Sequence, residues 1–230
     1  ISYRAKHMKY IFFSPLTYPK FAIMDPETTM SLPDRQTING VVDSFVHVCE
    51  QYVTDCRNAD VQDRYSESLM KVLVENGLKV KKDPKDYDAR ANIMWAANQA
   101  LNCWIAQGVR QDWATHMIGH ELTAYLGMDH ARTLACIQVG GEGVVRGSRA
   151  CCGSSLRTRC RSWRRWAIAY SVYRVGETGR WNVVGNVPSM AMKTVELIED
   201  FYENTMGTPT HICQYKVGDD KKWIEEVVKK

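Results

Sequence analysis

Three of the six histidines in the sequence stand within fifteen residues of one another, at positions 116, 120 and 130. His116 and His120 are four positions apart, which places both on one face of an α-helix. His130 would lie about 21 Å from His116 along the axis of an unbroken helix, at about 1.5 Å per residue. Two ligands that far apart cannot share an ion. His130 is therefore either not a ligand, or the helix breaks at Gly127 and the chain turns back.

A second pair with the same spacing occurs upstream, where "VVDSFVH" places Asp43 and His47 one helical turn apart. A carboxylate oxygen and an imidazole nitrogen side by side are suitable ligands for a divalent ion. Such ligands lie about 2.0–2.2 Å from the ion, so donors to one ion lie within roughly 4 Å of each other. The spacing leaves two interpretations open: a shared metal site, or histidines that serve only packing and hydrogen bonding.

Two zinc-protease motifs are close to this pattern but absent. "HELTA" begins like H-E-x-x-H, but its fifth position is Ala124. "HMIGH" has Gly119 where the inverted motif H-x-x-E-H requires a glutamate. Hydrolases of these two types are therefore excluded.

Amphipathic helices are the elements that must position these side chains. Apolar residues recur at helical spacing from Val41 to Val53, and a second amphipathic stretch covers 61–76 and stops at Gly77. The remaining predicted helices and strands are defined by capping residues, glycines and short apolar runs. They are a helix capped by Asp86 that runs to about Ala106 before Gly108, helices over 112–126, 188–206 and from Asp219 onward, and short strands over 10–13 and 20–24.

Composition is that of a globular protein, with 230 residues, 45% hydrophobic and 24% charged. No apolar run approaches the roughly 18–20 residues of a membrane helix, and the first residues show no secretory signal. We expect a cytoplasmic protein whose eight cysteines are reduced thiols. The net charge of +4 is unevenly distributed, because residues 137–187 alone carry +7 and the remainder carries −3.

Three long stretches resemble the iron-containing alcohol dehydrogenase family, and within it the butanol dehydrogenase and NADPH-dependent aldehyde reductase branch. They are "LPDRQTINGVVDSFVHVCEQYV", "DARANIMWAANQALN" and "GVRQDWATHMIGHELTAYLGMDHARTLA". The resemblance covers residues 1–136 and returns at about 188–215. It implies a mainly α chain: the helical metal-binding domain of the dehydroquinate synthase-like, iron alcohol dehydrogenase fold. Residues 34–230 would form that domain, and residues 1–33 a short β remnant of the α/β dinucleotide-binding domain and a linker.

The resemblance also implies roles for particular residues. The implied metal ligands are Asp43, His47, His116 and His130. His120 corresponds to a catalytic, non-ligand histidine beside the metal and the nicotinamide. Lys9 and Leu32 correspond to positions near the ribose and the nicotinamide of the cofactor. The expected cofactors are a divalent metal, either Fe²⁺ or Zn²⁺, and NADP(H) or NAD(H), with neither choice decided by the sequence.

The activity implied by the resemblance is hydride transfer between a reduced nicotinamide and a metal-polarised aldehyde. The expected partner is a small aldehyde or alcohol, with a homodimer as an open alternative and neither nucleic acid nor membrane expected. The family's glycine-rich loop for the cofactor pyrophosphate is not found, so we expect an incomplete and inactive chain. The alternative is a non-enzymatic helical module that binds metal or serves only structure.

Residues 137–187 match nothing in the family. An arginine-rich nucleic-acid arm with Trp163, Trp166 and Trp181 as stacking platforms conflicts with the packed domain around it. A metal site at the cysteines 151, 152 and 160 lacks a C-x-x-C pair and a nearby histidine. We favour the hypothesis that this segment is translated in the wrong frame. Codons for "RSWRRWAI" that start one base earlier allow Lys-Leu-Ala-Gln-Met-Gly-Asp-Arg, a typical amphipathic helix, and sequencing the source DNA tests this.

Overall fold

The computed structural model describes residues 1–54, 58–140 and 187–215. Within these ranges the chain is mainly helical, with a two-stranded antiparallel sheet of β1 (Ser2–Tyr3) and β2 (Met8–Lys9). The helices are α1 (Asp34–Tyr52), α2 (Asp60–Lys82), α3 (Tyr87–Ala100), α4 (Ala114–Leu126), α5 (His130–Gly140) and α6 (Val187–Asp200). This architecture confirms the predicted fold class.

The core is built around α1. Its apolar side chains at helical spacing are fully buried, among them Val41, Val42, Phe45 and Val48. They pack against α2, α3 and α5 and against the π-helical turn Phe201–Met206 that continues α6. The Phe45 ring lies 5.1 Å from the Phe201 ring, measured between centroids. An apolar face at helical spacing anchors a helix to the core. Helix α1 is therefore fixed through its apolar side, and its polar side chains can serve as ligands.

Helix α2 does not stop at Gly77, where the sequence analysis ended it. The helix continues to Lys82, and Gly77 is buried inside it. A Cβ at this position would lie 3.0 Å from Val41 Cγ1 and 3.4 Å from Met206 Sδ. Gly77 is therefore a close-approach residue between helices, and the prediction that it ends the helix was wrong because only the tertiary contact reveals that role.

Helix α3 begins as predicted and ends earlier. Asp86 caps it by accepting a hydrogen bond from the Ala89 amide at 2.9 Å, which confirms the predicted cap. The helix ends at Ala100 instead of about Ala106, and turns follow as far as Gly108, with Cys103 at φ 69°. A left-handed residue other than glycine is uncommon, and apolar periodicity alone does not reveal it.

The predicted strands over 10–13 and 20–24 were wrong. Neither segment is extended into a sheet, and their large apolar side chains are exposed, with Phe12 at 67% and Phe21 at 80%. A strand requires a partner for its backbone groups, and in the described residues only β1 and β2 pair. The sheet therefore lies nearer the N-terminus than expected.

The turn between α4 and α5 was predicted correctly. Gly127 ends α4 in the left-handed conformation at φ 64°, and α5 starts three residues later at His130. The predicted helix over 188–206 is also confirmed, because α6 and its π-helical turn run to Gly207, at φ 72°. The predicted C-terminal helix and residues 141–186 of the anomalous segment lie outside the described residues. None of the helices in the described part is both long enough and apolar enough to cross a membrane.

Candidate metal centre

Helix α1 presents Asp43 and His47 on the side turned toward α4 and α5. The His47 Nδ1 atom lies 3.0 Å from Asp43 Oδ1 and 2.8 Å from the Asp43 carbonyl oxygen. A carbonyl oxygen only accepts, so Nδ1 of a neutral His47 donates and its Nε2 carries the lone pair. Both side chains are partly buried. The pair predicted from i, i+4 spacing therefore lies on a single face of one rigid helix.

Helix α4 brings His116 to this pair. His116 is buried, and its Nε2 atom lies 3.6 Å from Asp43 Oδ1. The His116 ring centroid is 4.1 Å from that of His47. Two helices whose sequence positions differ by about seventy residues thus contribute imidazoles to one cluster.

The turn at Gly127 returns the chain so that His130, the first residue of α5, faces the same point. Its Nε2 atom lies 3.9 Å from Asp43 Oδ1, and its ring centroid is 5.2 Å from that of His116. The preceding Asp129 fixes this turn to α1, because its carboxylate accepts hydrogen bonds from Arg35 at 2.7 Å and from Asn39 at 2.9 Å. The structure therefore brings His130 to Asp43 and His116.

Close packing between α4 and α5 depends on Gly119. A Cβ there would lie 2.9 Å from Leu134 Cδ2 and 3.2 Å from Thr133 Oγ1. A second contact, between the hydroxyls of Thr123 and Thr133 at 3.2 Å, joins the same two helices. These contacts set the distance from the His116 helix to the His130 helix.

Asp43, His116 and His130 form the tightest part of the cluster. Each offers a ligand atom, and the three atoms lie within 4.8 Å of one another. His47 contacts Asp43 and His116 but does not belong to this group of three. His120 lies beside it, with ring centroids 5.0 Å from His130 and 6.1 Å from His116.

The two positions that the resemblance linked to the cofactor differ in their surroundings. Lys9, on β2, is half-buried, and its charge is close enough to influence the pKa values of His120 and His130. Strand β2 contacts α4, and nearby His7 Nδ1 lies 3.2 Å from the Ala124 carbonyl oxygen. Leu32 is 43% exposed and lies two residues before the start of α1. Within the described residues, no hydrogen bond or ring contact connects Leu32 to the histidine cluster.

The electrostatics of the cluster favour a cation. Burial opposes the charge of Asp43, but the imidazoles of His116 and His47 hold its pKa well below the usual range. Burial lowers the pKa of His130 to about 3 and that of His120 to about 4, and the Lys9 charge adds to both shifts. At neutral pH the cluster thus combines the Asp43 carboxylate with the neutral imidazoles of His120 and His130, whereas the burial of His116 is outweighed by Asp43 and Glu50, which raise its pKa. Binding of a metal releases any proton that a ligand imidazole still carries.

Three buried polar atoms of the cluster have no hydrogen-bond partner: Asp43 Oδ1, His116 Nε2 and His130 Nδ1. Leaving a buried polar atom unpaired costs about 1–3 kcal/mol, and more for a charged group. The 3.6 Å between His116 Nε2 and Asp43 Oδ1 exceeds a normal hydrogen bond. A divalent cation would satisfy the carboxylate oxygen and the imidazole nitrogen together, so the residues present fit such an ion.

Sequence reasoning missed Glu50, Gly119 and Asp129. Glu50 is 4% exposed and contacts His116 through its side chain. Its sequence signal was present, because Asp43, His47 and Glu50 follow the spacing of one helical face. Gly119 and Asp129 act through contacts between helices, which local spacing does not contain.

Comparison with known proteins identifies the source of this arrangement. Residues 37–138 match the model of the Fe-containing alcohol dehydrogenase family, C-terminal. The chain is 41% identical over 231 residues to the NADPH-dependent aldehyde reductase YqhD of Escherichia coli, covering 100% of this chain and 54% of that protein. The match to the crystal structure of E. coli YqhD covers 100% of this chain and 53% of the YqhD chain, with 39% sequence identity and a TM-score of 0.84.

A more distant solved structure has the same fold. The NADH-dependent butanol dehydrogenase A of Thermotoga maritima matches with a TM-score of 0.78 at 25% identity, and the match covers 100% of this chain and 52% of that one. The chain spans about half the length of the curated relatives that it matches. The ligand cluster, from Asp43 to His130, lies entirely within the residues that match the family model. The chain belongs to the Fe-containing alcohol dehydrogenase family, through the C-terminal region of that family.

Proposed function

We propose that this chain is the metal-binding part of an NAD(P)H-linked alcohol dehydrogenase or aldehyde reductase. Asp43, His47, His116 and His130 would hold one divalent ion, either Fe²⁺ or Zn²⁺. The observation that carries the proposal is the convergence of Asp43, His116 and His130, which come from three helices and have buried atoms that lack partners. The names of the relatives, an aldehyde reductase and butanol dehydrogenases, support the substrate class.

A bound ion would supply Lewis-acid polarisation of the substrate carbonyl. The side chains of this chain would hold and orient the reacting groups. His120, beside the ligand cluster, would carry or order through water the proton that the alcohol oxygen receives. Lys9 would contribute a positive charge on the cofactor side of the cluster, and Leu32 an apolar surface before α1. Hydride would come from the nicotinamide, for which the protein supplies only position and surroundings.

The metal site is tested by titrating the purified chain with Zn²⁺ or Co²⁺. We expect tight binding at the cluster that is lost in His130→Ala. Within the described residues, Glu199, Glu203 and His211 form a second group with suitable ligand atoms. His211→Ala is therefore the matched control, and it should leave the tight site unchanged. Equal tight binding by wild type and His130→Ala would contradict the assigned ligands.

The activity is tested on the full-length protein encoded by the source gene, whose whole reading frame, residues 137–187 included, is established by sequencing the source DNA. The expressed protein should oxidise NADPH or NADH in the presence of a short aldehyde and added Fe²⁺ or Zn²⁺. His116→Ala should abolish the turnover, because the buried imidazole cannot be replaced. A protein that binds metal at the cluster and oxidises neither cofactor would contradict the enzymatic proposal and favour a non-enzymatic metal-binding module.

A further inference from the structure

Glu50 is a buried carboxylate on α1 that faces the first turn of α4. Its Oε1 atom accepts hydrogen bonds from the backbone amides of Thr115 at 2.6 Å and His116 at 3.3 Å. Its other oxygen, Oε2, forms a hydrogen bond with His116 Nδ1. With 4% of its surface exposed, Glu50 is among the least accessible carboxylates of the described residues. It contacts the backbone and the side chain of one implied ligand at once.

The geometry assigns Glu50 as the positioning residue for His116, an inference that rests on the proposed metal site. A carboxylate oxygen accepts, so a neutral His116 carries its proton on Nδ1 and donates it to Glu50. The lone pair is then on Nε2, which lies 3.6 Å from Asp43 Oδ1 and has no hydrogen-bond partner. Metal-ligating histidines commonly donate their other ring N–H to a carboxylate in this way.

Two features separate this role from ordinary packing. The ring of His116 is held from both sides, by Glu50 at Nδ1 and by Trp113 and His47 at 5.3 Å and 4.1 Å between ring centroids. The helix that carries Glu50 also carries Asp43 and His47, so the ligands of α1 and the orientation of His116 are set by one rigid element. A shift of α1 would move ligands and positioning residue together.

The substitution Glu50→Gln distinguishes orientation from mere bulk. The two backbone amides at Oε1 require an acceptor, so the amide oxygen of the glutamine takes that position. Its NH₂ group then faces His116 Nδ1 and donates to it. A neutral His116 must accept at Nδ1 and carry its proton on Nε2, the atom that the metal needs. This almost isosteric change therefore places a proton on His116 Nε2, whose lone pair would otherwise bind the metal.

The experiment measures the tautomer and metal affinity separately. Nitrogen NMR of the histidine side chains is recorded on the metal-free full chain, at a pH where His116 is neutral, and the signal is assigned by its loss in His116→Gln. Wild type should show Nδ1 protonated and Nε2 bare, and Glu50→Gln should show the reverse. Titration with Co²⁺ should find binding weakened roughly 10–100-fold in Glu50→Gln, the usual effect of losing such a partner.

Glu67→Gln is the matched control, because Glu67 also accepts a side-chain hydrogen bond, from Tyr52 at 2.9 Å, but does not contact His116. It should leave tautomer and affinity unchanged. Unchanged tautomer and affinity in Glu50→Gln would overturn the inference. If that variant fails to fold, the wild-type tautomer decides, since a bare Nδ1 on His116 overturns it alone. A tautomer switch in a chain that takes up no Co²⁺ would refute the metal site while upholding the role of Glu50.

Discussion

Replacing Gly119 with alanine places a methyl group in the contact between α4 and α5. The added Cβ would lie 2.9 Å from Leu134 Cδ2 and 3.2 Å from Thr133 Oγ1. Carbon atoms in van der Waals contact are about 3.5–4.0 Å apart, so the Leu134 side chain must move by roughly 0.6 Å or more. Leu134 is fully buried, and protein cores are packed with few voids larger than a water molecule. We expect α5 to move away from α4 and to carry His130 with it.

The expected cost follows from two opposing effects. Overpacking of a core costs about 1–3 kcal/mol, whereas alanine in place of glycine inside a helix stabilises it by about 1 kcal/mol. Gly40→Ala separates the two, because Gly40 is exposed within α1 and a Cβ there has no neighbour within 4 Å. Gly40→Ala should stabilise the protein by about 0.5–1 kcal/mol. Gly119→Ala should be less stable than Gly40→Ala by about 1–3 kcal/mol.

Metal affinity provides a second test of Gly119→Ala. Ligand distances in a well-formed site are held to about ±0.2 Å, so a shift of roughly 0.6 Å in α5 should weaken binding of Zn²⁺ at least tenfold. Urea denaturation of the metal-free proteins measures the free energy of unfolding, and calorimetric titration measures affinity. If Gly119→Ala proves as stable as Gly40→Ala and binds Zn²⁺ like wild type, the contact between α4 and α5 does not position His130.

Metal-free protein should lose stability as the pH falls below about 6.5, the ordinary histidine value. Burial lowers the pKa of His130 to about 3 and of His120 to about 4. Below the ordinary histidine value these two imidazoles therefore bind protons in the unfolded chain and stay neutral in the folded chain, which favours unfolding. Urea denaturation over a pH series should show this loss, set against the opposite effect of the raised pKa of His116, and His120→Gln should reduce it; a pH profile unchanged by His120→Gln would contradict the burial of that imidazole. Asp129→Ala should cost about 1–2 kcal/mol and weaken metal binding, because the Asn39 amide loses its 2.9 Å bond to Asp129 and keeps only the 3.4 Å bond to Gln36, whereas Asp129→Asn should cost less. Equal denaturation midpoints for the two variants would refute that role. The 230-residue chain should bind metal without oxidising NAD(P)H in the presence of an aldehyde, since the sequence shows no glycine-rich loop to hold the cofactor phosphates; turnover near the ordinary range of about 1–10³ s⁻¹ would contradict this.

Features that depend on spacing along one helix were predictable from the sequence. Asp43 and His47 share a face because four residues complete a turn, and the apolar positions of α1 define its buried side. The distance argument left two alternatives, either a His130 that is not a ligand or a break at Gly127, and the resemblance to the family favoured the second. The left-handed Gly127 provides that break.

Features that depend on contacts between distant elements were not predictable. Gly77 and Gly127 are the same residue type, yet the first lies inside α2 against Val41 and the second ends α4. The difference is the neighbouring helix, which the local sequence does not describe. Glu50 is equally ambiguous, since its role depends on a partner 66 positions away. The segments 10–13 and 20–24 have strand-like composition without a pairing partner among the described residues.

The start of α4 is hydrogen-bonded by a residue that belongs to another helix. Its own N-cap residue, Trp113, provides no side-chain hydrogen bond to the helix. Glu50 instead accepts hydrogen bonds from the backbone amides of Thr115 and His116. The first turn of α4 can therefore reach full hydrogen bonding only after α1 has docked. Segments linked in this way open together as one cooperative unit. Hydrogen exchange at Thr115 and His116 consequently reports the separation of α1 from α4, and not the fraying of a single helix end.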